Sequence, residues 1–366
     1  MYFLLYAFKE FTLYRALLTV GLLYACIVTV QAAHVDDSKI LEAVNLQLKW
    51  VHQFQFAGYY AAKQQGYYAE EGLNVDIHEF NLEKPVVKQV VSGVADYGIS
   101  DIGLLFNYAK GDPVKVLAAI FQHNPLVYIS KRSSGIFSPF EMSGKRIMQR
   151  SSATDDAPLR ALLVDAGIGK DQYSAVKYDF SFDTFISGKA DVMSGYMTSQ
   201  PFDLRQKGLQ INIINPQNYG IDFYGDLLFT SEQELKNHPG RADRFLKATL
   251  KGWRYAFDHV EEVIQLIKNQ YHSRSSLEQL RNEATEMRKL VLPDTIPLGH
   301  IKINRLRRIV DTYQQLNLSR TLDDNELKGF IYDKNNKVNL TKQERSWLRQ
   351  YPVIRLGIDR NFAPYE

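Results

Sequence analysis

The chain has 366 residues, 45% of them hydrophobic and 23% charged, a globular composition long enough for two domains with cores of their own. A formal net charge of +3 gives no support to a nucleic-acid partner, and no basic run interleaved with aromatics appears. Cys26 is the single cysteine, which excludes an internal disulfide, and its place in the N-terminal apolar stretch leaves no thiol for catalysis or metal binding in the processed protein.

Residues 1–32 read as an export signal that sends the protein to the periplasm. Lys9 and Arg15 precede an apolar stretch from Ala16 to Val30, and Val30-Gln31-Ala32 offers cleavage before Ala33. An uncleaved membrane anchor is the other reading, although the stretch is shorter than the ~20 residues that span a bilayer. From Asn45 onward strand and helix patterns alternate. Leu46, Leu48 and Trp50 share a strand face, and residues 53–65 suit a helix closed by Gly66. Leu73, Val75 and Ile77 mark a second strand, and Pro85 starts a helix that Gly93 closes. VADYGIS, the helix LLFNYAKG and the strand VKVLAAIF come next, with Ser100 or Asp101 as the cap of that helix.

The same grammar restarts near residue 126. LVYIS, KRIMQ, SAVKYDF, ADVMSG and LQINIIN read as strands, and APLRALLVDAG, SFDTFISG and QPFDLRQKG as helices. This alternation predicts an α/β architecture with largely parallel sheets. Beyond Ser231 the reading is helical: a capping box at Ser231-Glu232-Gln233-Glu234, a sustained helical period over 241–271, a helix opened by Ser275-x-x-Glu278, and another at 301–316. The polar run Asp333-Lys334-Asn335-Asn336-Lys337 falls in a linker, 333–339.

The stretch LQLKWVHQFQFAGYYAAKQQGYYAEEGLNVDI resembles the opening of the periplasmic pyrimidine-binding and thiamine-pyrimidine-synthesis family, which is related to sulfonate- and nitrate-binding proteins of importers. Gly98-Ile99-Ser100, Gly111-Asp112-Pro113-Val114, GKADVMSGYMTSQPFDLRQKG and NYGIDFYGDLLFTSE extend the resemblance across about residues 45–315. It implies a type II periplasmic-binding-protein fold: two α/β lobes with a ligand cleft between them and a helical C-terminal part. The solute-binding domain would span 33–332, with lobe 1 at about 45–125 and 216–332 and lobe 2 at about 126–215. Ser199-Gln200-Pro201 stands where many family members carry Asn-Glu-Pro, so a carboxylate becomes an amide that both donates and accepts. The synthase branch carries a cysteine-rich motif that this chain lacks. Residues 340–366, LTKQERSWLRQYPVIRLGIDRNFAPYE, resemble the entry to an amino-acid-type binding domain of membrane sensors. A truncated start of a second domain is therefore expected there, making the whole a fragment of a longer sensor.

Ligands of open α/β sheets bind beyond the carboxyl ends of strands, often at helix N-termini, and that rule selects the candidate ligand contacts. Trp50 ends the first strand and either stacks on a planar heterocycle or joins the core. His52 and Gln53 lie in the turn before the helix, as caps or as contacts, while Phe56 and Tyr59 divide between cleft and core. Ser100 and Asp101 come directly after VADYGI. Asn124 sits at the first crossing between lobes, and Ser151 and Ser152 offer hydroxyls from the second lobe. Gln200 is the strongest second-lobe candidate; Asp222 and Tyr224 come after the return crossing. No HExxH, P-loop or Gly-x-Ser-x-Gly motif appears, and the eight histidines show no metal spacing, so neither catalytic residue, metal nor cofactor is expected. The expected function is closure around a pyrimidine-like solute, with either an importer permease or downstream signalling domains as partner. A free importer-binding protein and a pyrimidine-processing enzyme are the alternatives.

Overall fold

The computed structural model describes residues 41–81, 84–149, 156–179 and 181–333, with three further positions at 346, 349 and 350. The chain divides into two units, Met1–Glu42 and Ala43–Glu366. The expected export signal, the linker after Asp333 and nearly all of the final segment lie outside the described residues.

Strand β1 (Glu42–Gln47) leads through a 3-10 turn, Phe54–Phe56, into helix α1 (Ala57–Gln64). The helix ends because Gly66 adopts φ 73°, a left-handed conformation that costs a residue with a Cβ and costs glycine little. Then come α2 (Tyr67–Glu70), β2 (Leu73–His78), α3 (Val86–Val91), β3 (Tyr97–Ser100), α4 (Leu104–Ala109) and β4 (Val114–Ala119). After a first crossing the chain builds β5 (Leu126–Lys131), β6 (Arg146–Gln149), α5 (Ala157–Asp165), β7 (Ser174–Lys177), α6 (Asp183–Ile186), β8 (Val192–Tyr196), α7 (Gln200–Gln206) and β9 (Ile211–Ile214). It returns through β10 (Leu227–Ser231) and closes with α8 (Glu232–Asn237), α9 (Arg241–Asp258), α10 (Val260–Gln270), α11 (Leu277–Val291), α12 (Ile303–Gln315) and α13 (Asp324–Phe330).

Two five-stranded sheets result, ordered β2-β1-β3-β10-β4 and β7-β6-β8-β5-β9. In the first, β1 and β3 are parallel, while β10 inserts antiparallel between β3 and β4. In the second, β6 is parallel to β7 and β8, while β5 is antiparallel to β8 and β9. The crossings at 120–125 and 215–226 run side by side, held by Ile120 donating to the Asp226 carbonyl at 2.8 Å and Gly225 donating to the Phe121 carbonyl at 3.1 Å. The whole second sheet is thus inserted between two strands of the first.

Both sheets are mixed rather than largely parallel, because β10 and β5 run against their neighbours, and four further details differ from the sequence reading. LLFTS forms β10, whose five residues are all buried and so show no alternation. The helical period over 241–271 is two helices, broken at His259, where φ −128° and ψ 49° leave the helical region. The cap of α11 is Ser276, whose hydroxyl accepts the Gln279 amide at 3.1 Å, rather than Ser275. A further helix, α13, begins at a capping box in which Asp323 accepts the Asn325 and Glu326 amides.

One face of the first sheet packs on α1, α9, α10 and α11. Helices α1 and α9 approach closely because both carry glycine at the contact. A Cβ on Gly252 would stand 2.2 Å from the Gly58 carbonyl oxygen, and one on Gly58 would stand 2.2 Å from the Trp253 ring. Trp253 is fully buried and meets Tyr59 edge-on at 5.6 Å; burial of an aromatic side chain of this size contributes on the order of 2–3 kcal/mol. This packing fixes α1, and with it the turn before α1 that opens onto the cleft.

Candidate functional site

The two lobes meet around a cavity of about 430 Å³, within the size range of small-molecule sites. From the first lobe it is lined by Lys49, Trp50, Gln53, Gln55, Phe80, Pro85, Val86, Val87, Ile99, Ser100 and Asp101; from the second, by Lys177, Tyr178, Tyr196, Ser199 and Gln200. The apolar part is the Trp50 ring, stacked on Phe80 with centroids 6.0 Å apart and 24° between planes, beside Pro85, Val86 and Val87.

The polar part is a chain of side chains leading from one lobe to the other. Gln53 donates to Gln55 at 2.6 Å, and Gln55 donates to Asp226 at 2.7 Å. The Lys49 ammonium stands 2.6 Å from the other Asp226 oxygen and donates to the Tyr196 hydroxyl at 3.0 Å. Asp226 is 2% exposed. Burial pushes its carboxyl up, and Lys49 and Gln55 offset part of that. Burial acts downward on Lys49, but Asp226, with Tyr196 and Asp101, outweighs it, so the lysine proton is held more tightly than in water. The pair forms a buried salt bridge anchored at the carboxyl ends of the parallel strands.

Of the thirteen positions selected from the sequence, the structure brings five to this cavity: Trp50, Gln53, Ser100, Asp101 and Gln200. Asp101 also accepts the Gly103 amide at 2.8 Å and so shapes the turn into α4. The Gln200 side-chain oxygen accepts the Tyr196 amide at 2.6 Å and the Ser199 hydroxyl at 3.0 Å, and its –NH2 has no hydrogen-bond partner among the described residues.

Six others stand elsewhere. His52 turns from the cavity to the Tyr60 hydroxyl, 2.8 Å from Nδ1, and to the Tyr271 ring; burial lowers its pKa, with Glu79 acting the other way. Phe56 and Tyr59 are fully buried in the core behind α1. Asn124 ties the crossings, donating to the Tyr224 carbonyl at 2.8 Å and accepting the Leu126 amide at 3.0 Å. Asp222 pairs with His123 at 2.9 Å and Arg305 at 2.8 Å. Tyr224 is buried, accepts the Lys302 amide at 2.9 Å and lies 4.4 Å beneath the Arg305 guanidinium. Ser151 and Ser152 lie outside the described residues.

The sequence reading missed Lys49, Gln55, Phe80, Lys177, Tyr178 and Tyr196. Phe80, Tyr178 and Tyr196 end or come just after β2, β7 and β8, so the strand-end rule reaches them when applied to every strand. Lys49 had a local signal as well, a lysine set between Leu48 and Trp50. Among the described residues, no group of three or more His, Cys, Asp or Glu is arranged to hold a metal ion, and no helix is long and apolar enough to cross a membrane.

Comparison with known proteins bears on both family and fold. The family described as NMT1/THI5 like matches residues 53–263. The riboflavin-binding protein RibY of Chloroflexus aurantiacus is 25% identical over 232 residues, covering 62% of this chain and 66% of that protein. The formylaminopyrimidine-binding protein of Halalkalibacterium halodurans is 26% identical over 264 residues, covering 71% and 78%. Among solved structures, the periplasmic aliphatic sulphonate binding protein SsuA of Escherichia coli superposes with a TM-score of 0.60 at 14% identity, covering 88% of this chain and 98% of that one. At that identity the likeness establishes the fold, that of a periplasmic binding protein.

Proposed function

We infer that this chain, which belongs to the NMT1/THI5-like family, is a solute-binding protein whose lobes close on a small planar ligand of the pyrimidine type. The observation that carries the reading is the inter-lobe cavity: a stacked Trp50–Phe80 wall suits a flat ring, and a polar rim of glutamine, lysine and carboxylate groups suits ring nitrogens and exocyclic substituents. The riboflavin and formylaminopyrimidine named for two relatives both contain a pyrimidine ring. The role is binding without turnover, since Asp226 is held by Lys49 and Gln55 and Asp101 is engaged with its own turn.

Export to the periplasm is supported by the N-terminal pattern and by the fold. The closure signal has two candidate destinations. The segment 340–366 favours a sensor input region, and the importer-binding names among related folds favour a permease partner.

Thermal-shift measurements with riboflavin, formylaminopyrimidine, an alkanesulfonate and an amino acid test the ligand class. The pyrimidine-containing compounds should stabilise the protein, and Trp50→Ala should weaken their binding about 5- to 100-fold, the range of base–aromatic stacking. Stabilisation by the sulfonate or the amino acid alone would refute the pyrimidine reading.

A further inference from the structure

Lys49 stands at the seam of the two lobes. It lies just beyond β1 in the first lobe, whereas Tyr196 is the last residue of β8 in the second, so their 3.0 Å hydrogen bond crosses the cleft. The Tyr196 ring also lies 5.3 Å from the ammonium. An ammonium carries three N–H donors and no acceptor. The Asp226 carboxylate faces one side of the ammonium as an ion pair at 2.6 Å, and the Tyr196 hydroxyl accepts an N–H at 3.0 Å. No acceptor for the third is found among the described residues, and Lys49 lines the cavity with only 12% of its side chain exposed. A charged donor enclosed without an acceptor is costly, so an occupant of the cavity gains by supplying one.

We propose that Lys49 is the specificity-determining residue of the cleft, donating its third N–H to a hydrogen-bond acceptor on the ligand edge, and that Tyr196 is the positioning residue that aims the ammonium when the lobes meet. This rests on the reading of the cleft as a solute site and narrows it. The ligand is a planar heteroaromatic compound presenting a ring nitrogen or carbonyl oxygen towards Lys49. A compound with an N–H at that edge would set donor against donor, because lysine cannot accept. A compound with a C–H there would leave the ammonium unpaired, and sites built around a polar partner reject such isosteres strongly.

The neighbouring groups hold this arrangement in place. Asp226 is fixed on its other oxygen by Gln55, and Gln55 by Gln53, so the lysine cannot follow a displaced carboxylate. Tyr196 adds its bond only with the lobes together. Ligand and second lobe therefore use different donors of one ammonium, and each favours the state in which the other binds.

The test is calorimetric titration of the full chain and of three variants with riboflavin, formylaminopyrimidine and 4-amino-5-hydroxymethyl-2-methylpyrimidine. For each probe that binds the unaltered protein, Lys49→Met should weaken binding about 10- to 100-fold, the range for a hydrogen bond to a charged group. Tyr196→Phe keeps the ring and should weaken binding about 3- to 10-fold, through a faster off-rate. Lys49→Met strands the Asp226 carboxylate, so the double variant Lys49→Met/Asp226→Asn provides a folded protein in which the same loss is expected. A folded Lys49 variant that binds as tightly as the unaltered protein overturns the inference and leaves the cleft reading standing. If the unaltered protein binds none of the three probes, the cleft reading itself falls and takes the inference with it.

Discussion

Glu283 tests how the floor of the cleft is held. It lies on α11 with no exposed surface, and one carboxyl oxygen accepts the Phe54 amide at 2.9 Å. Phe54 opens the 3-10 turn between Gln53 and Gln55, both of which line the cavity. The second carboxyl oxygen has no hydrogen-bond partner among the described residues. Burial pushes this carboxyl up to about 8 from an ordinary value of 4.5; the Phe54 amide offsets part of the shift and the Asp203 carboxylate adds to it. The folded value lies above the unfolded one, so the native state binds the extra proton. Its contribution is complete below the unfolded value and is lost as pH rises through about 8. Linkage between those two values gives a loss of about 3 kcal/mol from about pH 5.5 to pH 9. Glu283→Gln keeps an oxygen for the Phe54 amide and does not titrate, so its stability should lack this fall. Urea unfolding of both proteins across that range supplies the difference curve. Asp203, pushed up to about 6 by burial, titrates in both proteins and largely cancels. A flat difference curve, or one that rises with pH, would refute the assignment of a protonated Glu283.

Two further outcomes are expected from the packing and the crossings. Gly252→Ala gains about 1 kcal/mol of helix propensity, but its Cβ would stand 2.2 Å from the Gly58 carbonyl and 2.6 Å from the Ala62 methyl. Overpacking of about 1–3 kcal/mol or more should win, and a raised unfolding temperature would contradict the close approach of α1 and α9. Asp222→Asn removes the charge that joins His123 on one crossing to Arg305 on α12; it should cost about 1–2 kcal/mol and speed amide exchange in 120–125 and 220–226. Exchange unchanged in those segments would show that the crossings are held by other contacts.

Most of the elements are legible in the sequence because their signals are local. The buried Leu73 and Val75 set two apart in β2, Pro85 ahead of α3 and the left-handed Gly66 each act within a few residues. The departures are tertiary in origin. The break at His259 lies inside an unbroken helical period, and nothing in that period marks it. β10 is hidden because a strand covered on both faces shows no alternation, and five buried residues resemble a short helix as much as a strand. Phe56 and Tyr59 illustrate the same limit for the site. Their spacing across the 3-10 turn and the start of α1 is compatible with either face, and it is the glycine-to-glycine contact with α9 that commits Tyr59 to the Trp253 side.

The pair of carboxylates in GIDFYGD carries the physical lesson furthest. Asp222, on the return crossing, is the natural choice from the sequence, yet it faces His123 and Arg305, away from the cavity. Asp226 comes directly before β10 and is not selected by the same reasoning. The strand-end rule looks for residues after strands, and it holds for parallel strands, whose carboxyl ends share one edge of the sheet. β10 runs antiparallel to β3, with Leu227 opposite Ser100, so its beginning lies at the edge where β3 ends. A residue before β10 therefore stands beside one after β3, and Asp226 enters the neighbourhood of Asp101 and Lys49 by that reversal. In a lobe with one reversed strand, the cleft is built from residues after the parallel strands and residues before the antiparallel one. Lys49 and Asp226, 177 positions apart in the chain, meet for this reason.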